Sequence, residues 1–562
     1  MRFSTHLAIA AACLGACASM PGVAPADRVF TGGAVYTVDP ERPWASAVAI
    51  RDGRIVYVGD DGGARAWIGP ETEVTPLRGR MLLPGFHDSH MHPMAAGTRF
   101  ARCQLKGLEW PQAVLAERER CAAKLGRGEW LRGVDLTGEA FAGEGPDISL
   151  LDRFTADHPT LIQSESGNRF WANSLALRMA GITAESPDPP HGHIGRVAGG
   201  RAPNGVLGGQ AAGDVYDLLP PYSTDTLVKA LTYASGLAHP FGITSSNEAS
   251  TKPEHVVAYL AAEQLGELDL RVQASLSWDD ERGLEQIADM KRLRAQADGV
   301  RFSARSVKFF LDGDCLHRTA AVLDPYVGWP DERGMLQFSD RELETYVTAL
   351  DAAGFDLHFH AWGDAAVRQA LDALEQAIRI NASWDRRHQV AHLALVHPDD
   401  LPRFATLGVT ADVHPIWAWL DEERRHEVAL LGPERAARLV PIASLFNAGA
   451  RVVAGSDWIS LSMNPLDSIQ YAVTRRPLDG SGPPWNPEER VKLEQIIEAY
   501  TINGAWLARQ EEETGSIEVG KAADLVVLDR NVFEMDPMEI SRVRVLLTLL
   551  EGKEVHRDPD FR

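Results

Sequence analysis

The sequence predicts an α/β fold: a (β/α)8 TIM barrel with a flanking β-sandwich domain built from both chain ends and a large insertion after the first barrel strand. Three observations predict it. Short apolar runs alternate with amphipathic helical stretches through the middle of the chain, short β signals crowd both ends, and roughly 140 residues separate the first two of the middle strands.

The N-terminal β signals run over residues 27–83, as in Val29-Phe30-Thr31 and Ala47-Val48-Ala49-Ile50, with Asp52-Gly53 as a hairpin turn. A second patch, over 508–558, includes Asp524-Leu525-Val526-Val527-Leu528 and Val545-Leu546-Leu547-Thr548-Leu549-Leu550. Neither patch has enough strands to bury a sandwich core alone, so the two ends are expected to combine. Residues 84–507 then form the barrel, whose strands centre on Met81–Phe86, Gly242–Ser246, Leu270–Ser275, Ser306–Phe310, Asp356–His360, His388–His392, Val409–Val413 and Arg451–Gly455. An open doubly wound sheet is the competing layout. Eight repeats with polar residues at strand ends favour closure. The stretch of about 94–235 is too long for a crossover and is expected to cover the site.

The chain has 562 residues, 45% hydrophobic and 24% charged, an ordinary globular composition with room for a large barrel and a smaller domain. A formal net charge of -22 disfavours nucleic acid and anionic lipid surfaces and points to a small-molecule substrate. Arg2, the apolar stretch Leu7–Leu14 and then Leu14-Gly15-Ala16-Cys17 read as a signal peptide over 1–16. The last four residues resemble a bacterial lipobox, with Cys17 lipidated as the first mature residue. The expected location is exported and anchored by lipid in a bacterial cell envelope, with no other membrane contact; simple secretion is the alternative. No other apolar run approaches the roughly 20 residues that span a bilayer. Cys103, Cys121 and Cys315 remain in the body without a Cys-x-x-Cys motif. In an oxidising compartment Cys103 and Cys121 can pair, or all three can stay thiols.

His90 and His92 follow the first barrel strand at spacing i, i+2, which in extended backbone puts both imidazoles on one face. Converging neutral imidazoles suit zinc and similar divalent ions. Lys308, His358, His360, His392 and Asp457 recur at the ends of later strands, the face where barrel enzymes carry their chemistry. Each alone also has a structural reading: a satisfied core histidine, a snorkelling lysine, a helix N-cap at Asp457.

Together with their surroundings these residues resemble amidohydrolase family 3, the YtcJ-like branch that includes N-substituted formamide deformylases. The matching stretches are Leu83-Pro84-Gly85-Phe86-His87-Asp88-Ser89-His90-Met91-His92, Val307-Lys308-Phe309-Phe310-Leu311-Asp312-Gly313, His360-Ala361-Trp362-Gly363-Asp364, Gly455-Ser456-Asp457-Trp458 and Gly520-Lys521-Ala522-Ala523-Asp524. The resemblance implies one or two divalent ions, zinc foremost, held by His90, His92, His360, His392 and Asp457, with Lys308 bridging two ions if carbamylated. It implies Asp457 as the proton-handling carboxylate. His358, on the same face as His360 but deeper, is expected to be structural. The sequence departs from the family in having Ala391 where Glu is usual before the sixth-strand histidine. It also has Asn168 in Ser166-Gly167-Asn168, His317 in Asp314-Cys315-Leu316-His317, and His414 where Gln is usual. Asn168, His317 and His414 are therefore candidate substrate contacts.

The function this implies is metal-dependent hydrolysis of an N-acyl, formamide or related carbon–nitrogen bond. Ester or lactone hydrolysis at the same site, or a lipid-anchored binding protein without catalysis, are the alternatives. A serine hydrolase is disfavoured because no Gly-x-Ser-x-Gly elbow stands in a strand-turn-helix context. The leader reading makes a direct prediction: Cys17→Ala abolishes lipid attachment and releases the protein into the soluble fraction. Unchanged membrane fractionation of that variant would overturn it.

Overall fold

Strands from the two ends of the chain interleave because each end supplies only half of a buried surface. In the computed structural model, which describes residues 23–561 apart from 142–145, 166, 168, 190, 191, 419–421 and 460, two sheets form here. One has the order Arg54–Gly59, Ala47–Arg51, Arg28–Thr31, Glu73–Pro76; the other Lys553–Arg557, Val545–Leu550, Leu525–Leu528, Met81–Pro84, Ala34–Tyr36, Trp44–Ala45. Leu525–Leu528 pairs antiparallel with Met81–Pro84, joining the chain ends. Phe30, Val48, Ile50, Leu82, Leu525 and Leu547 form one buried cluster. Asp52 and Gly53 have φ of 51° and 73°, as a type I′ hairpin requires. Cys17 and the leader lie outside the described residues.

The middle of the chain forms an eight-stranded parallel sheet: β1 (Phe86–Met91), β2 (Ile243–Thr251), β3 (Arg271–Ser277), β4 (Phe302–Phe310), β5 (Asp356–Ala361), β6 (Gln389–His392), β7 (Thr410–Val413) and β8 (Val452–Ala454). Helices fill the crossovers. The one at Asp340–Ala352 starts with a Ser339/Glu342 capping box and buries Leu343, Val347 and Leu350 at helical spacing. The first strand differs from expectation. Met81–Phe86 reads as one apolar run, but Met81–Pro84 belongs to the flanking sheet, and the barrel strand runs on through His90. The break falls at Pro84-Gly85, where the Gly85 N–H donates to the Asp524 carbonyl at 2.8 Å and the Phe86 N–H to the Gly242 carbonyl at 2.9 Å.

The edge strands β1 and β8 meet at their C-terminal ends. Asp457 N–H donates to the His90 carbonyl at 2.7 Å, His92 N–H to the Trp458 carbonyl at 2.9 Å, and Met91 bridges Trp458 in parallel. Between β1 and β2 stands a separate six-stranded sheet, ordered Gly192–Arg196, Pro203–Gly209, Arg169–Ala172, Thr160–Ser164, Leu131–Leu136, Cys103–Gln104. Its own core includes Leu105, Val114, Leu151, Ile162 and Trp171. Cys103 and Cys121 are joined as a disulfide, and Cys315 is a buried free thiol. Among the described residues no helix is long and apolar enough to cross a membrane.

An ion network ties barrel to sandwich. Arg271 of β3, 5% exposed, donates to Asp524 and to Glu551, both at 2.7 Å, and Arg301 donates to the second Glu551 oxygen at 2.7 Å. Burial alone would raise the Glu551 carboxyl, but the Arg301 hydrogen bond and the Arg271 charge outweigh it and hold the group below its ordinary value of 4.5. Its stabilising contribution is therefore present above that value and is lost as pH falls through the lower folded value. Removing one partner of a buried pair strands the other charge and costs about 3–5 kcal/mol. Arg271→Met should lower unfolding free energy by about that amount near neutral pH. Denaturant titration should show the gap to the wild type narrowing in acid.

Candidate metal centre

The seam between β1 and β8 brings three side chains together. His90 Nε2 lies 3.6 Å, and His92 Nε2 3.3 Å, from the same oxygen of Asp457, Oδ1. The other nitrogen of each ring faces a second carboxylate: His90 Nδ1 is 3.3 Å from Asp412 Oδ2, and His92 Nδ1 is 3.8 Å from Glu248 Oε1. Those two acids are fixed in turn. The Ser89 hydroxyl donates to Asp412 at 2.7 Å, and the Tyr259 hydroxyl and Met94 N–H donate to Glu248 at 2.8 and 2.9 Å. At His90 the Asp412 contact favours a proton on Nδ1 and leaves Nε2 aimed at Asp457; Glu248, at 3.8 Å, lies beyond hydrogen-bond reach of His92.

Further imidazoles crowd behind His90. His358 Nε2 lies 3.1 Å from His90 Nδ1 and 3.2 Å from Lys308 Nζ, and its Nδ1 lies 2.9 Å from the Ser275 hydroxyl. His414 Nε2 is 3.0 Å from His392 Nδ1, and its Nδ1 is 3.0 Å from the Gly455 carbonyl oxygen. The His392 ring stacks on Trp417 with centroids 5.4 Å apart. Among the described residues of this cluster, three sets of donor atoms each fall within 4.8 Å of one another: His90, His92 and Asp457; His90, His358 and Asp412; His90, His392 and His414. All three share His90.

Burial governs the protonation of this cluster. It pushes the His90, His358 and His392 imidazoles well below their ordinary value of 6.5, reinforced for each by the Lys308 charge and neighbouring rings, and takes His360 down to about 4. These rings are neutral at physiological pH and keep a lone pair for a cation. Burial likewise lowers the Lys308 amine to about 7 and raises Asp412 well above the carboxylate range. Asp457 stays below that range: burial would raise it, but the His92 hydrogen bond and the His414, His92 and Lys308 charges prevail. An ionised carboxylate among neutral imidazoles is a donor set that fits a divalent ion such as zinc.

Backbone strain falls on the same residues. His392 has φ of 77° and Asp457 51°, left-handed conformations that a non-glycine residue holds only when its surroundings impose them. Gly455 is required by proximity, since a Cβ there would stand 2.5 Å from the His90 nitrogen and 2.7 Å from its Cβ.

The sequence-derived residues are placed unevenly. His90, His92 and Asp457 converge, and Lys308 and His392 lie beside them. His360 belongs to none of the three donor sets. Its Nε2 lies 3.2 Å from the Gly313 carbonyl oxygen and 3.5 Å from Asp312, while its ring is 4.2 Å from that of His392. His414 sits inside the imidazole cluster, fully buried, rather than at the mouth. His317 is on an outer loop, paired with Asp314 at 2.9 Å, where it lines a cavity of about 1230 Å³ under the inserted sheet. Asn168 lies outside the described residues. His358, expected to be deeper than His360 and structural, contacts both His90 and Lys308, and Asp412 and Glu248 were not singled out from sequence at all. The spacing Asp412-Val413-His414 repeats the i, i+2 pattern of His90-Met91-His92 and was the available signal for Asp412.

The amidohydrolase family profile matches residues 73–556. The chain is 28% identical to the putative amidohydrolase YtcJ of Bacillus subtilis, over 94% of this chain and 99% of that one. It is 26% identical to the N-substituted formamide deformylase of Arthrobacter pascens, over 94% and 97%. An uncharacterized metal-dependent hydrolase from Pyrococcus furiosus shares the fold, with a TM-score of 0.73 at 23% identity over 91% of this chain and 99% of that one.

The seam geometry predicts that Gly455→Ala displaces His90. Metal content after dialysis against a limiting zinc buffer should fall, together with a loss of about 1–3 kcal/mol in stability from overpacking. Wild-type metal retention would show that the close approach at Gly455 does not set the position of His90.

Proposed function

Because the chain belongs to the amidohydrolase family and is a metal-dependent hydrolase acting on carbon–nitrogen bonds, we propose that it cleaves an N-acyl or formamide-type bond in a small molecule. The observation that carries this reading is the Asp457 carboxylate held between the Nε2 atoms of His90 and His92. The deformylase relative, by its name, supports the formamide version. Its identity of 26% leaves the acyl and amine groups to be found by assay.

His90, His92 and Asp457, with His392 and His414 adjacent, would hold a divalent ion, which would supply Lewis acidity toward the scissile carbonyl and the attacking water. The remaining chemistry belongs to the chain. Asp457, ionised despite its burial, accepts the water proton and returns it to the leaving nitrogen. Asp412 holds the His90 ring in register by accepting from its far nitrogen, and Glu248 stands 3.8 Å from the far nitrogen of His92. Export and lipid attachment through Cys17 remain part of the proposal, on the strength of the leader alone.

Lys308 decides between one ion and two. Its amine is buried beside His358, and among the described residues no carboxylate lies within ion-pair distance of it. As a carbamate, formed when the neutral amine adds to carbon dioxide and loses a proton, it would offer an anionic oxygen to a second ion. Lys308→Ala should then lose both turnover and metal, and Lys308→Glu should regain part of the metal. Chelation should abolish amide hydrolysis, and zinc should restore it. Full metal content and near-normal turnover in Lys308→Ala would leave a single-metal centre with Lys308 structural.

A further inference from the structure

The inserted sheet carries a second group of metal-ligating atoms that shares no residue with the barrel seam. Cys103 stands on the edge strand Cys103–Gln104, and Glu117 and Cys121 lie on the helix Gln112–Ala122 packed against it. Four residues separate Glu117 from Cys121, so both side chains rise from one helix face. Cys121 Sγ lies 3.6 Å from Glu117 Oε1, and Cys103 Sγ lies 3.9 Å from the Glu117 carbonyl oxygen. The donor atoms of all three residues fall within 4.8 Å of one another. Arg120 holds the other carboxylate oxygen, Oε2, at 2.6 Å, which leaves Oε1 turned toward the sulfur.

In the oxidised protein the two sulfurs are bonded to each other and are not ligands. Both cysteines line a cavity of about 690 Å³, through which a small reductant can reach the bond, and Lys124 and Arg102 line it too. Positive charge beside a thiol favours the thiolate, the form that binds metal. A dithiol would exchange with the disulfide, ending as a disulfide itself and leaving Cys103 and Cys121 as two thiols. Each thiol then releases its proton to solvent as its sulfur bonds to an ion. Two thiolates and a carboxylate suit tetrahedral zinc, and sulfur ligands select against magnesium and calcium. Two sulfurs on one zinc stand roughly 3.8 Å apart, a span that side-chain rotation can supply once the S–S bond is gone. The Cα atoms that carry them are 5.9 Å apart. The cavity leaves room for water as the fourth ligand.

We propose that reduction converts Cys103, Glu117 and Cys121 into a binding site for a thiophilic divalent cation such as zinc. Disulfide and ion are then alternative links between the same strand and helix, and the inserted sheet stays clamped at this edge in either redox state. The probe is cobalt(II), titrated into the full chain before and after reduction with a phosphine. Thiolate-to-cobalt charge transfer absorbs in the near ultraviolet, and the sulfur-free donors of the barrel seam cannot produce it. The expected result is a near-ultraviolet band in the reduced protein that saturates at one ion per chain, is displaced by zinc and is absent from the oxidised protein. Cys121→Ser, which keeps every other cysteine, should lose the band. Glu117→Gln, which keeps both sulfurs, should weaken cobalt binding by roughly 10-fold or more, the least that even an outer partner of a metal ligand is worth. Reduced wild type without the band overturns the proposal, as does a band that appears in oxidised protein or survives in Cys121→Ser. Undiminished cobalt affinity in Glu117→Gln overturns the three-ligand assignment. The comparison of oxidised with reduced wild type decides the question even where a cysteine variant fails to fold.

Discussion

Asp457 closes the barrel and organises the candidate site with different parts of one residue. Its N–H reaches the His90 carbonyl across the gap between the edge strands, and its carboxylate faces the His90 and His92 rings from the same seam. The left-handed backbone at Asp457 and the bare Cα of Gly455 both follow from bringing β8 this close to β1. Strain of this kind persists only where neighbouring structure over-determines it. Here the sandwich on one side and the helices outside the barrel supply that constraint, so the geometry of three donor groups depends on closure of the whole sheet.

The cluster behind the seam shows what burial does to ionisable groups that cannot reach water. Five imidazoles are driven neutral, one amine is brought near neutrality, and Asp412 is pushed up, while Asp457 is held below the carboxylate range, with the His92 hydrogen bond foremost in opposing its burial. Such a site is poorly suited to binding by apolar contact and well suited to a cation, whose charge would compensate the cost of burying the carboxylates.

Much of this was legible in the sequence because period and position carry it. The i, i+2 spacing of His90 and His92, and the recurrence of Lys308, His392 and Asp457 at strand ends, follow directly from strand alternation in a barrel. Other features do not leave such a trace. Met81–Pro84 and Phe86–Met91 are one apolar-to-polar run in sequence, and what separates them is pairing of the first with Ala34–Tyr36 and with the distant Leu525–Leu528. Glu248 and Asp412 are single acids in strands otherwise filled with small or apolar residues, so their role depends on which ring faces them. His358 looked deeper than His360 and therefore structural, but depth in this barrel leads to Lys308 and His90 rather than away from them. His360 matches the family motif, yet its Nε2 faces Gly313.

The account stands or falls on where a divalent ion binds. The most direct measurement is anomalous X-ray diffraction at the zinc edge from crystals of the zinc-loaded protein. The account predicts an ion within about 2.0–2.2 Å of His90 Nε2, His92 Nε2 and a carboxylate oxygen of Asp457, the distances zinc takes with nitrogen and oxygen ligands. Anomalous density elsewhere, or none at this seam in protein that still hydrolyses amides, would contradict it.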